Sequence, residues 1–135
     1  MYRIGELAQL CGVTTETIRF YERQGLLTAP PRATNGYRLY SPQDLGQLRF
    51  ILRGKNAGLS NADMRELVEI RKYKETVSCR EVRQVIDNKL EIVREQLAEL
   101  KNFEASLSHL STVCCGGDES AIHCSILEAL DDLME

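Results

Sequence analysis

The chain has 135 residues, of which 43% are hydrophobic and 27% are charged, a composition typical of soluble globular proteins. This length suffices for one compact domain, or for a small domain with a long helical extension. No apolar run approaches the roughly 20 residues of a membrane-spanning helix, and the first segment, MYRIGELAQLCG, lacks the apolar core of a signal peptide. We therefore expect a cytoplasmic protein without a membrane partner.

Charge is divided unevenly along the chain, whose net charge is −3. Residues 1–58 hold eight Lys/Arg and four Asp/Glu, whereas residues 59–135 hold nine and sixteen, so the two parts carry +4 and −7. A basic first part indicates an anionic partner such as DNA. The acidic remainder predicts a solvated module that does not face DNA.

Two short helices joined by a glycine are predicted at the N-terminus. The segment IGELAQLC has apolar residues at helical spacing, and Gly12 follows it. Thr14 or Thr15 can then cap a second helix, TETIRFYERQG, which ends at Gly25. This arrangement is typical of a helix-turn-helix motif, although helical hairpins of other kinds share the pattern.

The next segment, LLTAPPRATNGYRLYS, predicts a small β-wing. Pro30 and Pro31 disfavour a helix, and the pair Asn35-Gly36 is a strong hairpin signal. The alternating YRLY that follows suits a short strand. Cationic and aromatic side chains such as those of the wing suit phosphate contacts. They are Arg32, Tyr37, Arg38 and Tyr40.

Two supporting helices are predicted after the wing. Ser41 followed by Asp44, and Ser60 followed by Asp63, are signatures of a helix N-terminus. With the preceding elements, these helices complete a winged helix-turn-helix domain over residues 1–72.

A polar link at residues 73–78 precedes one long predicted helix over residues 79–112, which contains neither proline nor glycine. Ser78 and Glu81 form a capping box at its start. Apolar residues recur along it at heptad spacing, which is typical of a coiled coil. They are Ile86, Leu90, Val93, Leu97, Leu100 and Leu107. Because the last segment, SILEALDDLM, is too short to cover this seam, we expect a second copy of the chain as partner rather than an intramolecular hairpin.

Three of the five cysteines lie in one stretch, CCGGDESAIHC. Clustered thiols in a reducing compartment are more often metal ligands or redox groups than structural disulfides. The pair Gly116-Gly117 lets the chain fold back, so that Cys124 can approach Cys114 and Cys115. Thiolates in a tight loop suit Zn²⁺ and similar divalent ions, although incidental thiols or a vicinal disulfide would fit the same spacing.

Cys79 is the fourth candidate ligand, at the first position of the long helix, where free N–H groups and the helix dipole favour the thiolate. If it joins the loop cysteines of another chain, the four negative charges of the thiolates balance two dications. A Cu(I) ion needs only two thiolates, and the site would then keep an excess of negative charge. Asp118 or Glu119 can add an oxygen ligand and His123 a nitrogen ligand, but each also suits plain loop surface. Cadmium, lead and mercury bind the same soft donors, so the identity of the ion stays open.

The segments MYRIGELA, TIRFYERQGLL and NGYRLYS, in this order, resemble the MerR family of transcriptional regulators, and the resemblance covers the whole chain. The rear half, with Cys79, CCG and CSILEAL, is similar to the zinc-responsive branch of that family. This implies a homodimer in which Cys114, Cys115 and Cys124 of one chain meet Cys79 of the other. The branch has a loop histidine that ligates a second zinc ion, and this chain has Glu119 at that position. The number of ions per site, one or two, therefore stays open.

The resemblance implies a mostly α fold: a winged helix-turn-helix domain, a long dimerisation helix in an antiparallel coiled coil, and a metal-binding loop and helix over residues 113–135. It also implies an activator that binds an inverted repeat in an over-spaced promoter. Metal binding then distorts the DNA so that RNA polymerase recognises both promoter elements. The implied target gene encodes a zinc-exporting P-type ATPase.

No paired catalytic acid and base suggests an enzyme, whereas a thiol redox sensor that uses the same cysteines remains the alternative. Tyr21 and Tyr40 suit either the DNA backbone or a protein core. The residues expected to contact DNA are Thr15, Thr17 and Arg19 of the recognition helix, Tyr21, Tyr37, Arg38 and Tyr40 at the backbone, and Lys55 from the next module.

Overall fold

The computed structural model describes residues 1–132, which form six α-helices joined by turns. The last three residues of the expected C-terminal segment lie outside this range. The helices are α1 (Ile4–Cys11), α2 (Thr15–Arg23), α3 (Pro42–Asn56), α4 (Asn61–Lys72), α5 (Cys79–Thr112) and α6 (Ser125–Asp132), and a 3₁₀ turn at Ala121–His123 precedes α6. The chain divides into two compact units, Met1–Lys89 and Leu90–Glu135. The mostly helical fold is thus confirmed.

Side-chain caps fix where the helices of the first unit begin. Ser41 Oγ accepts a hydrogen bond from the N–H of Asp44 at 3.1 Å, and Asp44 Oδ2 accepts one from the N–H of Ser41 at 2.7 Å. Ser60 and Asp63 repeat this reciprocal pair at 3.1 and 2.8 Å. Thr14 is the cap of α2. Because these bonds satisfy N–H groups without a partner inside the helix, the predicted starts of α3 and α4 are confirmed.

The wing is held by two isolated antiparallel bridges, and the predicted short strand does not form within the described residues. Arg32 pairs with Arg38, whereas Tyr40 pairs with Tyr2 at the N-terminus. In this register, Pro31 would face Leu39 in the next pair that exchanges backbone hydrogen bonds, since the N–H of Ala33 donates to the carbonyl of Tyr37. Proline has no N–H to donate, so the pairing cannot extend within the hairpin, and the N-terminus takes its place.

The predicted turn at Asn35-Gly36 is confirmed. The N–H of Gly36 donates to the carbonyl of Ala33 at 2.9 Å, and Asn35 Oδ1 accepts a hydrogen bond from the N–H of Tyr37 at 3.1 Å. Gly36 has a φ of 84°, a left-handed conformation that glycine adopts without a steric penalty. The turn therefore brings the two sides of the wing together.

The core of the first unit is formed mainly by residues of the four helices α1, α2, α3 and α4, and it includes Val85 of α5. Gly54 on α3 lies directly beneath Met64 of α4, whose side chain occupies the space that a Cβ atom would need. The two helices can approach this closely only because that position lacks a side chain. The apolar side chains buried most completely at the centre are Leu7, Ile18, Leu26, Leu48, Ile51 and Met64.

Helix α5 has 34 residues, which corresponds to a length of about 51 Å. Its predicted bounds are confirmed. The apolar side chains of the predicted seam are exposed, from 40% at Leu90 to 65% at Leu107. A stripe of this extent is unusual on an unpartnered surface. No helix in the described part of the chain combines the length and the apolar character that a membrane crossing requires.

We expect Leu48→Ala to lower the free energy of unfolding by about 2–5 kcal/mol, because it leaves a cavity at the centre of the first unit. The control Leu10→Ala, at a side chain that is 50% exposed, should cost less than about 0.5 kcal/mol. Urea unfolding followed by circular dichroism at one protein concentration measures both. Equal losses for the two variants would contradict the position of this core.

Candidate metal centre and nucleic-acid interface

Two predicted metal ligands meet in the loop between α5 and α6. Gly116, with a φ of 70°, turns the chain back, and Cys124 Sγ lies 3.9 Å from Cys114 Sγ. In a tetrahedral zinc site with Zn–S bonds of about 2.3 Å, neighbouring sulfur atoms are about 3.8 Å apart. The two thiols therefore have the separation required of two ligands of one zinc ion.

Cys124 immediately precedes α6 and faces the free N–H groups of its first turn. The N–H groups of Leu127 and Ile126 lower the pKa of the Cys124 thiol from its ordinary value, and a weaker hydrogen bond with Cys114 acts in the same direction. Glu128 opposes the shift. A helix N-terminus stabilises a thiolate in this way. From the sequence, this effect was expected only at Cys79.

The loop surrounds a cavity of about 530 Å³, which is also lined by three further candidate ligands, Cys115, Glu119 and His123. Asp118 is not among the lining residues. Within the described residues, no group of three or more His, Cys, Asp or Glu side chains converges closely enough to hold a metal. Thiolate donors fit zinc and softer divalent ions, but the loop alone brings only two donors to ligand separation. A four-coordinate site would need others.

Cys79 is the first residue of α5 and is exposed. The N–H of Glu81 donates to Ser78 Oγ at 3.2 Å, so Ser78 caps the helix in front of the thiol as predicted. The Glu81 carboxylate accepts from the Ser78 hydroxyl at 3.4 Å and not from its backbone N–H, so the predicted capping box forms only in part. The meeting of Cys79 with the loop of another chain stays a prediction. Cys11, in contrast, is half-buried against the core, and burial raises the pKa of its thiol while Arg49 opposes the rise.

The candidate DNA-contacting residues of α2 differ in exposure. Arg19 is exposed, and its guanidinium lies 3.9 Å from the Glu16 carboxylate. Thr15 and Thr17 are half-buried, and the Thr17 hydroxyl lies 2.9 Å from that of Thr14, within the cap of the helix. Lys55 is half-buried near the end of α3. Their contacts with DNA stay predictions.

A groove of about 590 Å³ lies between the first two helices and the wing. We call it the arginine groove, because four guanidinium groups outnumber two carboxylates along it. Such a surface attracts and orients phosphate groups. Its charged lining residues are Arg3, Arg19, Arg32, Arg38, Glu6 and Glu22.

Arg3 was not among the residues singled out from the sequence. Its guanidinium carbon lies 4.4 Å from the centre of the Tyr37 ring, a cation–π contact that fastens the wing to the N-terminus. No local pattern predicts this pairing, since the two residues are far apart in the chain. Tyr37 and Arg38 are both exposed, as phosphate contacts require.

Tyr21 and Tyr40 belong to the core, with only 7% and 2% exposed, which favours the second of the two interpretations given to them. The Tyr40 hydroxyl donates a hydrogen bond to Glu22 Oε2 at 3.0 Å. Burial and the neighbouring Glu22 carboxylate raise the pKa of Tyr40 to about 12. A direct contact of either hydroxyl with DNA stays a prediction.

We expect iodoacetamide to alkylate the Cys124 thiol of the chelator-treated protein with a pH midpoint below the ordinary pKa of a cysteine thiol. A lowered pKa leaves more reactive thiolate at neutral pH, and this thiolate is lost only as the pH falls through the lowered value. Mass spectrometry of the labelled peptide gives the midpoint. The control is the same residue in urea, where α6 is unfolded and the midpoint should rise. Identical midpoints in both states would exclude an effect of the helix.

The chain matches two related family descriptions. Residues 2–70 match "MerR HTH family regulatory protein", and residues 45–110 match "MerR, DNA binding". The transcriptional regulator ZntR of Escherichia coli (strain K12) is 42% identical over 131 residues, which cover 97% of this chain and 93% of the relative. The mercuric resistance operon regulatory protein of Bacillus cereus is 36% identical and covers 96% of each chain.

Among solved structures, the transcription regulator PbrR691 from Ralstonia metallidurans CH34, in complex with lead(II), superimposes with a TM-score of 0.86. It is 33% identical in sequence, and the superposition covers 96% of this chain and 99% of that chain. The relatives and this structure agree with the two family matches, which together span most of the sequence. The chain belongs to the MerR family of helix-turn-helix transcriptional regulators.

Proposed function

We propose that the protein is a zinc-responsive transcriptional activator that binds an over-spaced promoter as a homodimer. Metal binding would distort the DNA and switch on a metal-efflux gene, in the simplest case one for a zinc-exporting P-type ATPase. The observation that carries the proposal is the thiol pair Cys114–Cys124, 3.9 Å apart, in a chain whose other unit is a helix-turn-helix regulatory domain. Membership of the family supports the DNA-binding part.

The arginine groove supports contact with the DNA backbone. Arg19 lies on α2, which in a helix-turn-helix motif is the element that enters the major groove, and Arg38 lies on the wing. Both side chains line the groove. We assign Arg19 to base edges or nearby phosphates and Arg38 to phosphates of the DNA backbone, because guanidinium groups can bind both targets in a bidentate manner.

The exposed seam of α5 supports a homodimer. Val93, Leu100 and Leu107 recur at intervals of seven residues and are 43%, 61% and 65% exposed. Apolar residues with this repeat bury one another when two helices coil together. In an antiparallel pair, the first residue of one helix lies beside the last turn of the other. Cys79 of one chain would then lie beside the metal loop of the partner subunit.

For the metal site, we assign Cys114 and Cys124 of one chain together with Cys79 of the partner subunit. Cys115 and Glu119, which line the same cavity, are candidates for the remaining position, or for a second ion. Asp118 and His123 are less favoured. When bound, zinc would supply a fixed tetrahedral link between thiolates of two chains. The names of relatives that mention mercury and lead support soft divalent ions in general, and Cd²⁺, Pb²⁺ and Hg²⁺ are the alternatives to Zn²⁺.

The short distance between Cys114 and Cys124 also favours a second candidate function, that of a thiol redox sensor. Two thiols this close can form a disulfide after a small movement. The two functions differ in their effect on the thiols. Zinc binding under anaerobic conditions releases protons and is reversed by a chelator, whereas oxidation removes both thiols without a metal. Anaerobic titration with zinc and counting of free thiols separate them.

We expect Cys79→Ser to abolish induction by zinc while leaving DNA binding intact, because a serine hydroxyl is a poor substitute for a thiolate ligand. The measurement is in vitro transcription from a promoter with an over-long spacer at buffered free zinc. The matched control is Cys11→Ser, which changes a cysteine that packs against the core and should still respond to zinc. Wild-type induction by the Cys79 variant would exclude this ligand assignment.

A mixed dimer tests whether the site is shared between chains. One chain carries Cys79→Ser and the other carries Cys114→Ser and Cys124→Ser. If the ligands come from two chains, the mixed dimer retains one intact site and binds half as much zinc as the wild type. If all ligands come from one chain, neither chain has a complete site, and the mixed dimer binds no more zinc than the two mutant homodimers.

We expect Arg38→Ala to weaken binding to all DNA sequences and to reduce the slope of log affinity against log salt by about 1, because one phosphate contact is lost. The control Arg94→Ala, at an exposed residue of α5, should leave the slope unchanged. Fluorescence anisotropy at several salt concentrations measures both. A loss confined to one base pair would instead indicate that Arg38 reads a base.

A further inference from the structure

Tyr40 fastens the end of the wing in two directions. Its backbone N–H and carbonyl pair with Tyr2 at 2.7 and 2.8 Å, which ties the wing to the N-terminus. Its ring is 2% exposed in the core, and its hydroxyl donates to Glu22 Oε2 at 3.0 Å, which ties the wing to α2. One residue thus joins three segments that are far apart in the sequence.

Glu22 is the acceptor, and its position is unfavourable for DNA binding when considered alone. It lies on α2 three residues after Arg19 and lines the arginine groove together with Arg38. A carboxylate at this point repels phosphate and reduces the positive field of the groove. The hydrogen bond from the buried Tyr40 hydroxyl gives the carboxylate a structural use, since bonds to charged groups are about twice as strong as neutral ones.

We propose that Glu22 and Tyr40 act as a pair of positioning residues whose hydrogen bond fixes the wing against α2, so that Arg19 and Arg38 meet DNA as one rigid surface. This inference rests on the proposed DNA-binding function. It gives Tyr40 an indirect role, in place of the direct phosphate contact expected from the sequence. It also gives a role to Glu22, which the sequence did not indicate.

The test is a double-mutant cycle measured by fluorescence anisotropy on a DNA duplex selected by the wild-type protein from a random-sequence library. Tyr40→Phe should weaken binding about tenfold, because the wing is no longer held in place. Glu22→Ala should weaken binding by a smaller factor, because loss of the negative charge from the groove offsets part of the effect. The double variant should bind no more weakly than either single variant, since both remove the same bond. Tyr73→Phe, at an exposed tyrosine after α4, should bind like the wild type.

Glu22→Gln provides a rescue that a purely structural loss would not show. The amide oxygen can still accept the bond from Tyr40, while the negative charge is gone from the groove. This variant should bind as tightly as the wild type or more tightly. Circular dichroism is used to check that every variant is folded at the temperature of the measurement. Tyr40→Phe is a mild change, because it removes only a hydroxyl group from the core.

Two results would overturn the inference. If Tyr40→Phe weakens binding by the same factor in the Glu22→Ala background as in the wild type, the hydroxyl acts on DNA independently. If Glu22→Gln binds as weakly as Glu22→Ala, the accepted hydrogen bond is not the reason for the loss. Failure of the proposed function has a different result, because the wild-type protein would then select no duplex from the library.

Discussion

A tetrahedral thiolate site needs four donors, and the loop between α5 and α6 brings two thiols to ligand separation. Cys114 and Cys124 lie 3.9 Å apart, and the first turn of α6 stabilises the second of them as a thiolate. Because these two ligands are already close together, less conformational entropy is lost when an ion binds them. It also leaves coordination positions open. The proposed dependence on a second chain follows from that deficit.

The long helix α5 connects this loop to the DNA-binding unit in a way that suits a dimer. It begins with the exposed Cys79 and ends at Thr112, just before the loop, and it carries an apolar seam between them. Burial of the seam against a second copy is favourable at about 25 cal/mol per Å² of apolar surface. In the proposed antiparallel arrangement, the contact that stabilises the dimer also positions the ligands. Dimerisation and ligand placement would then depend on the same residues.

Local features of the fold were predictable from the sequence, and long-range contacts were not. The starts of α3 and α4 follow from Ser and Asp three residues apart, because a capping box depends on neighbours within one turn. The predicted strand of the wing does not form, and Tyr40 pairs instead with Tyr2, which lies at the N-terminus and is distant in the sequence. No spacing rule indicates such a partner.

The candidate sites show the same contrast between predictable local features and unpredictable long-range contacts. The candidate ligands in the loop were recognisable because thiols, glycines and carboxylates cluster within eleven residues of the sequence. The effect of α6 on Cys124 was missed because it depends on the residue at which that helix begins. The contacts of Arg3 with Tyr37 and of Tyr40 with Glu22 join residues 34 and 18 positions apart. Only the packed structure reveals how these side chains organise the arginine groove.

A metal ion can change the shape of bound DNA only if it binds two conformations of the protein with different affinity. A site complete within one loop would bind its ion equally well whatever the positions of the DNA-binding units, and no signal would reach the promoter. A site that takes donors from two chains has high affinity only in the conformation that brings Cys79 to the partner's loop. Zinc would therefore stabilise that conformation, and the DNA distortion coupled to it, by the difference in affinity between the two states. The incomplete donor set of the single loop is thus what allows the proposed sensor to couple metal binding to the promoter.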